Sequence, residues 1–235
     1  MSKIKNAKLK KETFTAIILA RGGSKGIKLK NLVKINGKPL IYWTIKQCLF
    51  SKKIDSVWVS TDNKLISNYC KKMGVYIIPR PKKYSQDNSS SEMAWLHGVK
   101  YLKKKLQLTN IVGLQPTSPL RNKNDLDRAC KIFIKNNYDS LLSVLEISDH
   151  FIWHYKDKKL IANYNYKKRL MRQKIEHKYL ENGSFYIFNV TKFLKYKNRL
   201  FKKIGLYKMK KIYSMQIDDH EDIPIFNSLK RYYYK

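Results

Sequence analysis

Two short stretches of this 235-residue chain gather residue types that handle phosphate and metal ions. The first, ARGGSKGIKLKN at 20–31, sets Gly22, Gly23 and Gly26 among Arg21, Lys25, Lys28 and Lys30. Small residues let backbone N–H groups come close to phosphate oxygens, and the cations offset the oxygens' charge. The string is not a Walker loop, because GKS or GKT is missing, and it is not the GxGxxG dinucleotide fingerprint, so ATPase and dehydrogenase readings weaken. On the loop alone, a glycine turn with incidental lysines stays open. The second stretch, DDHED at 218–222, crowds Asp218, Asp219, Glu221 and Asp222 into a chain with 17 acids in all. Such a cluster repels itself unless a cation sits there. Mg²⁺ suits it, because that ion takes oxygen ligands and is typically held by one or two carboxylates plus substrate phosphates.

The elements around these stretches alternate. FTAIILA (14–20) is a continuous apolar run, the mark of a strand buried on both faces, and it leads into the glycine turn. PLIYWTIKQCLFS has helical spacing after Pro39, IDSVWVSTD reads as a strand, KLISNYCKKMG as a helix stopped by Gly74, and VYIIPR as a short strand. YSQDNSSS then feeds the helix EMAWLHGVKYLKKK. NIVGLQ is a strand, PTSPLR a proline-bounded loop, NDLDRACKIFIKNN a helix that Asp125 is placed to cap, and DSLLSVLEI another strand. Strands separated by helices of this length predict right-handed βαβ units and an α/β, doubly wound, mostly parallel sheet. The pattern changes over 150–180, where aromatic and basic residues alternate, which predicts a small antiparallel excursion. SFYIFNVTKFLKY returns as strand plus short helix, and 210–234 reads as a last strand, an acidic loop and a closing helix. Ligand sites in such sheets lie at the carboxyl ends of the strands, so the loops after Ala20, Ser60, Arg80 and Gln115 are expected to face one crevice.

Composition narrows the classes. We expect a solvated basic tail over 1–13 and a single domain over 14–235, with no apolar run long enough to cross a membrane and no secretory signal, hence a cytoplasmic protein. Cys48, Cys70 and Cys130 are widely spaced and read as reduced, half-buried thiols. Fifty basic against 17 acidic residues give a net charge of +33. That balance raises nucleic acid as a partner, but the lysines are spread along the chain and no nucleic-acid motif accompanies them, so no specific nucleic acid is expected. A positive field of this size favours small polyanionic substrates.

Taken whole, ILARGGSKGIKLKNLVKINGKPLIYWTI resembles the opening of the acylneuraminate cytidylyltransferases, or CMP-sialic acid synthetases. VSTD, RPKKYSQDNSSS, LQPTSPLR, LMRQKIEHKYLENGSFYIF and QIDDHEDI follow in that family's order, so the resemblance spans Phe14 to about Phe226. It implies a nucleotide-diphospho-sugar transferase-like fold and transfer of CMP from CTP to an acidic nine-carbon sugar, with release of pyrophosphate, for surface glycan synthesis.

The resemblance further implies that Arg21, Ser24, Lys25, Lys30 and Asn31 hold the triphosphate, with Leu19, Ala20, Gly22 and Gly23 lining the nucleotide site. Arg80, Asp87, Ser90 and Ser91 would sit by base and ribose, although Ser90 reads equally as a helix N-cap. Gln115, Thr117 and Ser118, with Arg121 nearby, fall on the sugar side, as do Arg172, Gln173 and Tyr179. A planar guanidinium suits a sugar carboxylate, so Arg172 is the candidate for it, against the alternative of a solvated surface arginine. Asp218 and Asp222 match the family's IDxxxD metal pattern, whereas Gln216 stands where many members carry a further acid; Asp219 and Glu221 are read as charges balancing a helix N-terminus. A homodimer, with 150–180 forming sugar site and contact, is implied as well. Other readings are a nucleotidyltransferase of the same fold using another nucleotide or sugar and, behind it, a nucleic-acid-binding protein.

Overall fold

The computed structural model describes residues 12–24, 26–147 and 151–233, apart from the side chains of Arg172 and Lys230. In chain order the main elements are β1 (Phe14–Leu19), β2 (Lys34–Ile35), β3 (Lys38–Pro39), α1 (Leu40–Phe50), β4 (Ser56–Thr61), α2 (Lys64–Lys72) and β5 (Tyr76–Pro79). Then come α3 (Ser91–Lys103), β6 (Asn110–Leu114), α4 (Asp125–Lys135), β7 (Ser140–Ile147), β8 (Trp153–Lys156) and β9 (Lys159–Ala162). The chain finishes with β10 (Lys178–Asn189), α5 (Val190–Tyr196), β11 (Ile204–Met209) and α6 (Asp222–Ser228).

Seven strands form one sheet in the order β11-β7-β10-β6-β1-β4-β5. β1 pairs parallel with β4 and β6, β4 with β5, and β7 with β11, while β10 runs antiparallel between β6 and β7. The doubly wound, mostly parallel sheet expected from the alternating pattern is present. Helices α1, α2 and α4 cover one face, burying Ile45, Ile66, Cys70, Ala129 and Phe133 against Ile18, Val59 and Val112. On the other face α3 and α5 bury Trp95, Val99 and Phe193 against Ile17, Ile111 and Phe188.

Local chemistry sets the boundaries. Asn63 caps α2, its side chain accepting the Leu65 and Ile66 amides, and Gly74, at φ +75°, turns the chain away from that helix. Asn36 and Gly37, both at positive φ, make the turn of the β2–β3 hairpin, which the Asn-Gly pair permits. The expected antiparallel excursion is the β8–β9 hairpin.

Four expectations are corrected. The last strand is 204–209, not the segment after Lys210, which forms a short 3-10 turn at Lys211–Tyr213. Asn182 and Gly183 do not begin the returning strand; it starts at Lys178, and the register shifts between Glu181 and Tyr186. Asp125 does not cap α4: its carboxylate accepts the Asn122 amide at 2.7 Å and the Tyr207 hydroxyl at 2.9 Å. The three cysteines are fully buried, not half-buried. Residues 1–11 of the expected tail lie outside the described residues, and Thr13 is already tied to the start of β6, its carbonyl accepting the Asn110 amide.

Candidate active site

The carboxyl ends of β1, β4, β5 and β6 open on one crevice, because four loops leave the sheet there. Arg80, following β5, donates from Nη2 to the Ser60 carbonyl at 2.6 Å, and the Gly22 amide donates to Asp62 Oδ1 at 2.9 Å, so the loops after β1, β4 and β5 are joined. The resulting cleft has a volume of about 420 Å³. Its walls include Arg21, Ser24, Lys30 and Asn31 from the first loop, Arg80 and Ser90–Ser91 from mid-chain, and Gln115–Thr117 after β6.

Several of these side chains are held by specific partners. Arg21 ion-pairs with Asp87 at 3.1 Å and donates to the Gln86 carbonyl, which draws the mid-chain loop across the glycine turn. Asn31 is buried, and its Nδ2 donates to the Arg21 carbonyl at 2.9 Å, so in this structure it braces the turn as well as lining the cleft. Lys30 reaches from the turn to the acidic segment, donating to the Ile217 carbonyl at 3.1 Å and the Asp218 carbonyl at 2.8 Å, with the Asp218 carboxylate at 3.3 Å. Gly26 permits that approach: a Cβ there would lie 2.8 Å from the Asp218 carbonyl oxygen.

The electrostatics favour a bound anion. Arg80 is buried with its Nε lacking a partner, and burial pushes the guanidinium down to about 10, Asp62 opposing and Arg21 reinforcing the shift. A cation kept out of water with an unmet donor is poised to gain from a negatively charged ligand. Ser90 caps α3, its Oγ accepting the Met93 amide at 3.2 Å, so the N-cap reading holds, and the residue also lines the cleft.

Several anticipated residues stand elsewhere. Leu19 lines the cleft, whereas Ala20 is buried behind it with its amide donating to the Ser60 carbonyl. Gly23 faces open space. Ser118 is fully buried and does not line the cleft, nor does Arg121, a buried brace binding Thr44, Gln47 and the Gln115 and Ser184 carbonyls. Gln173 is exposed in a short turn, and Tyr179 is exposed on β10 under the Lys208 ammonium. Asp222 turns its carboxylate back to the Asp218 and Asp219 amides. Lys25 and the Arg172 side chain lie outside the described residues. Tyr84, Gln86, Ser89, Ala94 and Pro116 line the cleft without having been singled out; three of them sit in RPKKYSQDNSSS, where the density of polar side chains was their signal.

A divalent cation finds few ligands here. No group of three or more His, Cys, Asp or Glu that could hold a metal occurs among the described residues. The Asp218 carboxylate is 68% exposed and projects beside Lys30. One carboxylate with room for phosphate oxygens and water fits a Mg²⁺ that arrives with a nucleotide better than a resident ion.

Fold and cleft together define the α/β architecture of the nucleotidyltransferases. The chain belongs to the cytidylyltransferase family, whose profile matches residues 15–234. It is 34% identical over 222 residues to N-acylneuraminate cytidylyltransferase A of Danio rerio and 35% identical over 225 residues to the N-acylneuraminate cytidylyltransferase of Oncorhynchus mykiss. In both cases 92% of this chain and 50% of the relative are covered. The N-acylneuraminate cytidylyltransferase of Streptococcus agalactiae serotype V is 29% identical over 212 residues, covering 88% of this chain and 50% of its own. The chain thus spans about half the length of the curated relatives it matches. Among solved structures, a CMP:2-keto-3-deoxy-manno-octonic acid synthetase complexed with CTP superposes with a TM-score of 0.69 at 16% identity, over 94% of this chain and 99% of the other. The 4-diphosphocytidyl-2C-methyl-D-erythritol synthase of Anaerococcus prevotii does so at 0.67 and 14%, over 94% and 96%. At these identities the two structures speak to the fold alone.

Proposed function

We propose that this chain transfers CMP from CTP to the anomeric hydroxyl of an acidic nine-carbon 2-keto sugar of the sialic type, releasing pyrophosphate and supplying surface glycan synthesis. The observation that carries the reading is the cleft itself: cations from two segments, Arg21 and Lys30 of the first loop and Arg80 from mid-chain, line it together, and Lys30 lies beside the exposed Asp218 carboxylate. The names of the three curated relatives agree with it in kind.

In-line displacement at the α-phosphorus depends on positioning and on neutralising charge. In this reading Lys30 and Arg21 bind the triphosphate oxygens, the backbone of the glycine turn approaches them, and Arg80 with Ser90 and Ser91 holds the nucleoside end. Gln115 and Thr117 form the wall where the acceptor sugar enters, and Arg172 is the candidate for its carboxylate. Mg²⁺, held by Asp218 and phosphate oxygens, would supply further charge neutralisation on the triphosphate and the departing pyrophosphate.

The arm from Ile152 to Leu180 exposes Trp153, Tyr155, Leu160, Tyr166 and Met171, with Tyr155 77% exposed. An apolar band of this kind marks an association surface. We assign it to a homodimer in the cytoplasm; sedimentation equilibrium as a monomer at micromolar concentration would remove that assignment. No helix among the described residues is long and apolar enough to cross a membrane. The decisive assay offers the purified chain CTP, UTP or GTP with Mg²⁺ and a panel comprising neuraminic, legionaminic and pseudaminic acids. Pyrophosphate release with CTP and one of these acids is expected, and none with any of them sinks the reading.

A further inference from the structure

Residues 216–218 run beside the cleft-lining Gly26, Lys30 and Thr117 as a strap fastened at three successive positions. Gln216 donates from Nε2 to the Asn182 carbonyl on β10. Ile217 donates its amide to the Thr117 carbonyl at 2.8 Å, and its side chain is buried in the apolar cluster that also holds Ile27 of the glycine turn. Asp218 offers its carbonyl to Lys30 and lies against Gly26. Two of these ties use the strap's backbone and are open to any residue type; the tie at 216 needs a side chain with a donor at its tip.

The anchor on the far side is firm. Asn182 is buried, its Oδ1 accepting the Ser143 hydroxyl at 2.6 Å and the Ser184 amide at 3.2 Å, while its Nδ2 donates to the Ser214 hydroxyl at 3.1 Å. Its carbonyl is thereby aimed at position 216. Gly183, at φ +63°, leaves the room the amide occupies, since a Cβ there would lie 2.7 Å from Gln216 Nε2. A carboxylate at 216 would bring acceptor against acceptor at the Asn182 carbonyl, which explains why a neutral amide suits this site in a loop otherwise crowded with acids.

We propose that Gln216 is a positioning residue whose amide fastens the strap to β10 and so holds the Asp218 carboxylate over the glycine turn beside Lys30. The inference rests on the proposed nucleotidyl transfer, and its test has one readout independent of that reaction. The full chain is prepared as wild type, Gln216→Leu, Gln216→Glu and Gly183→Ala. Amide exchange at Ile217 and steady-state kinetics with CTP and the acceptor acid are measured on each. Loss of the tie is expected to speed Ile217 exchange about five- to tenfold in both Gln216 variants. It is expected to lower kcat by up to about 10²-fold through misplacement of Asp218, with KM for CTP near that of the wild type. Gly183→Ala, which displaces the amide without removing it, should show the same kcat-selective loss in a protein that still folds.

Wild-type exchange and wild-type kcat in both Gln216 variants would overturn the assignment, as would wild-type kcat in folded Gly183→Ala. Gln216→Glu outperforming the wild type at low Mg²⁺ would also overturn it, by making 216 an open metal-ligand position. Should the wild-type chain itself turn over no CTP, the nucleotidyl-transfer reading falls, and the Ile217 exchange rates still decide whether Gln216 fastens the strap.

Discussion

The Lys30 ammonium lies 2.8 Å from the carbonyl oxygen of Asp218, a residue 188 positions later in the chain. That contact closes the cleft: the cationic turn after the first strand and the acidic loop near the end of the chain become two sides of one site. A side chain so placed both holds the loop and presents positive charge to the cleft.

Replacing Lys30 by methionine keeps much of the volume and removes both roles. Loss of a charge-stabilising donor at such a site typically costs about 10²–10³ in kcat. We expect kcat/KM for CTP to fall by at least that factor while the circular dichroism spectrum stays native. Unchanged turnover would show that the contact with Asp218 is merely structural.

The two aspartates of the acidic loop should separate cleanly. Asp218→Asn is expected to abolish most turnover and to weaken Mn²⁺ binding in the presence of CTP, because its carboxylate is the one that projects beside Lys30. Asp222→Asn loses charge-assisted bonds to two amides at the rim, which should cost about 1 kcal/mol of stability and leave Mn²⁺ binding intact. Calorimetric titration and thermal melts distinguish them, and equal loss of Mn²⁺ affinity in both would reinstate Asp222 as a ligand.

The cysteines should be silent in the folded protein. Burial pushes the Cys48 and Cys70 thiols from the ordinary 9.0 up to about 12, and Cys130 upward as well. Thiolate is the reactive form, so Ellman's reagent at pH 8 should find no fast equivalent natively and three on unfolding in guanidinium. Because the unfolded thiols ionise first, the stability these groups contribute is complete below about pH 9 and declines as pH rises toward 12. A stability curve that is flat across that alkaline range would contradict the burial.

Gly113 lies under the indole of Trp95: a Cβ there would fall 2.8 Å from Cε2 and 2.9 Å from Cζ2. Trp95 is fully buried and edged by Tyr186 and Phe188, so it has little space to retreat. Overpacking of this kind costs about 1–3 kcal/mol, and Gly113→Ala should lower the melting temperature by about 2–10 °C. A melt at or above that of the wild type would mean that the core yields.

The sequence made the parallel half of the sheet readable because buried strands such as FTAIILA and NIVGLQ are continuous apolar runs punctuated by glycine or proline. It concealed the other half for identifiable reasons. SFYIFN reads as a strand, but nothing in its composition says that it enters antiparallel between β6 and β7. β11 was passed over because IGLYKM carries a glycine and places Ile204 and Leu206 on its exposed side, so apolar residues fall on both faces. Asp125 has the type and position of a cap, and a tyrosine from β11 claims its carboxylate instead. At the site, the glycine turn and the polar string before α3 were legible from residue type. The meeting of Lys30 with Asp218 was not, because local pattern carries no information about which distant loops touch. Arg121 shows the converse: an arginine beside candidate sugar residues looked functional, and its buried bonds to Gln47 and Ser184 make it a brace.

Both neighbours of β7 in the sheet, β10 and β11, come later in the chain than β7 itself. During synthesis this apolar strand must therefore wait, unpaired, for some 30 to 60 residues to emerge, and the edge of β6 waits with it for β10. A nascent chain in that interval exposes two sticky borders at once, which makes the interval between Ile147 and Lys178 the period in which a chaperone, or an unwanted neighbour, has the most to hold.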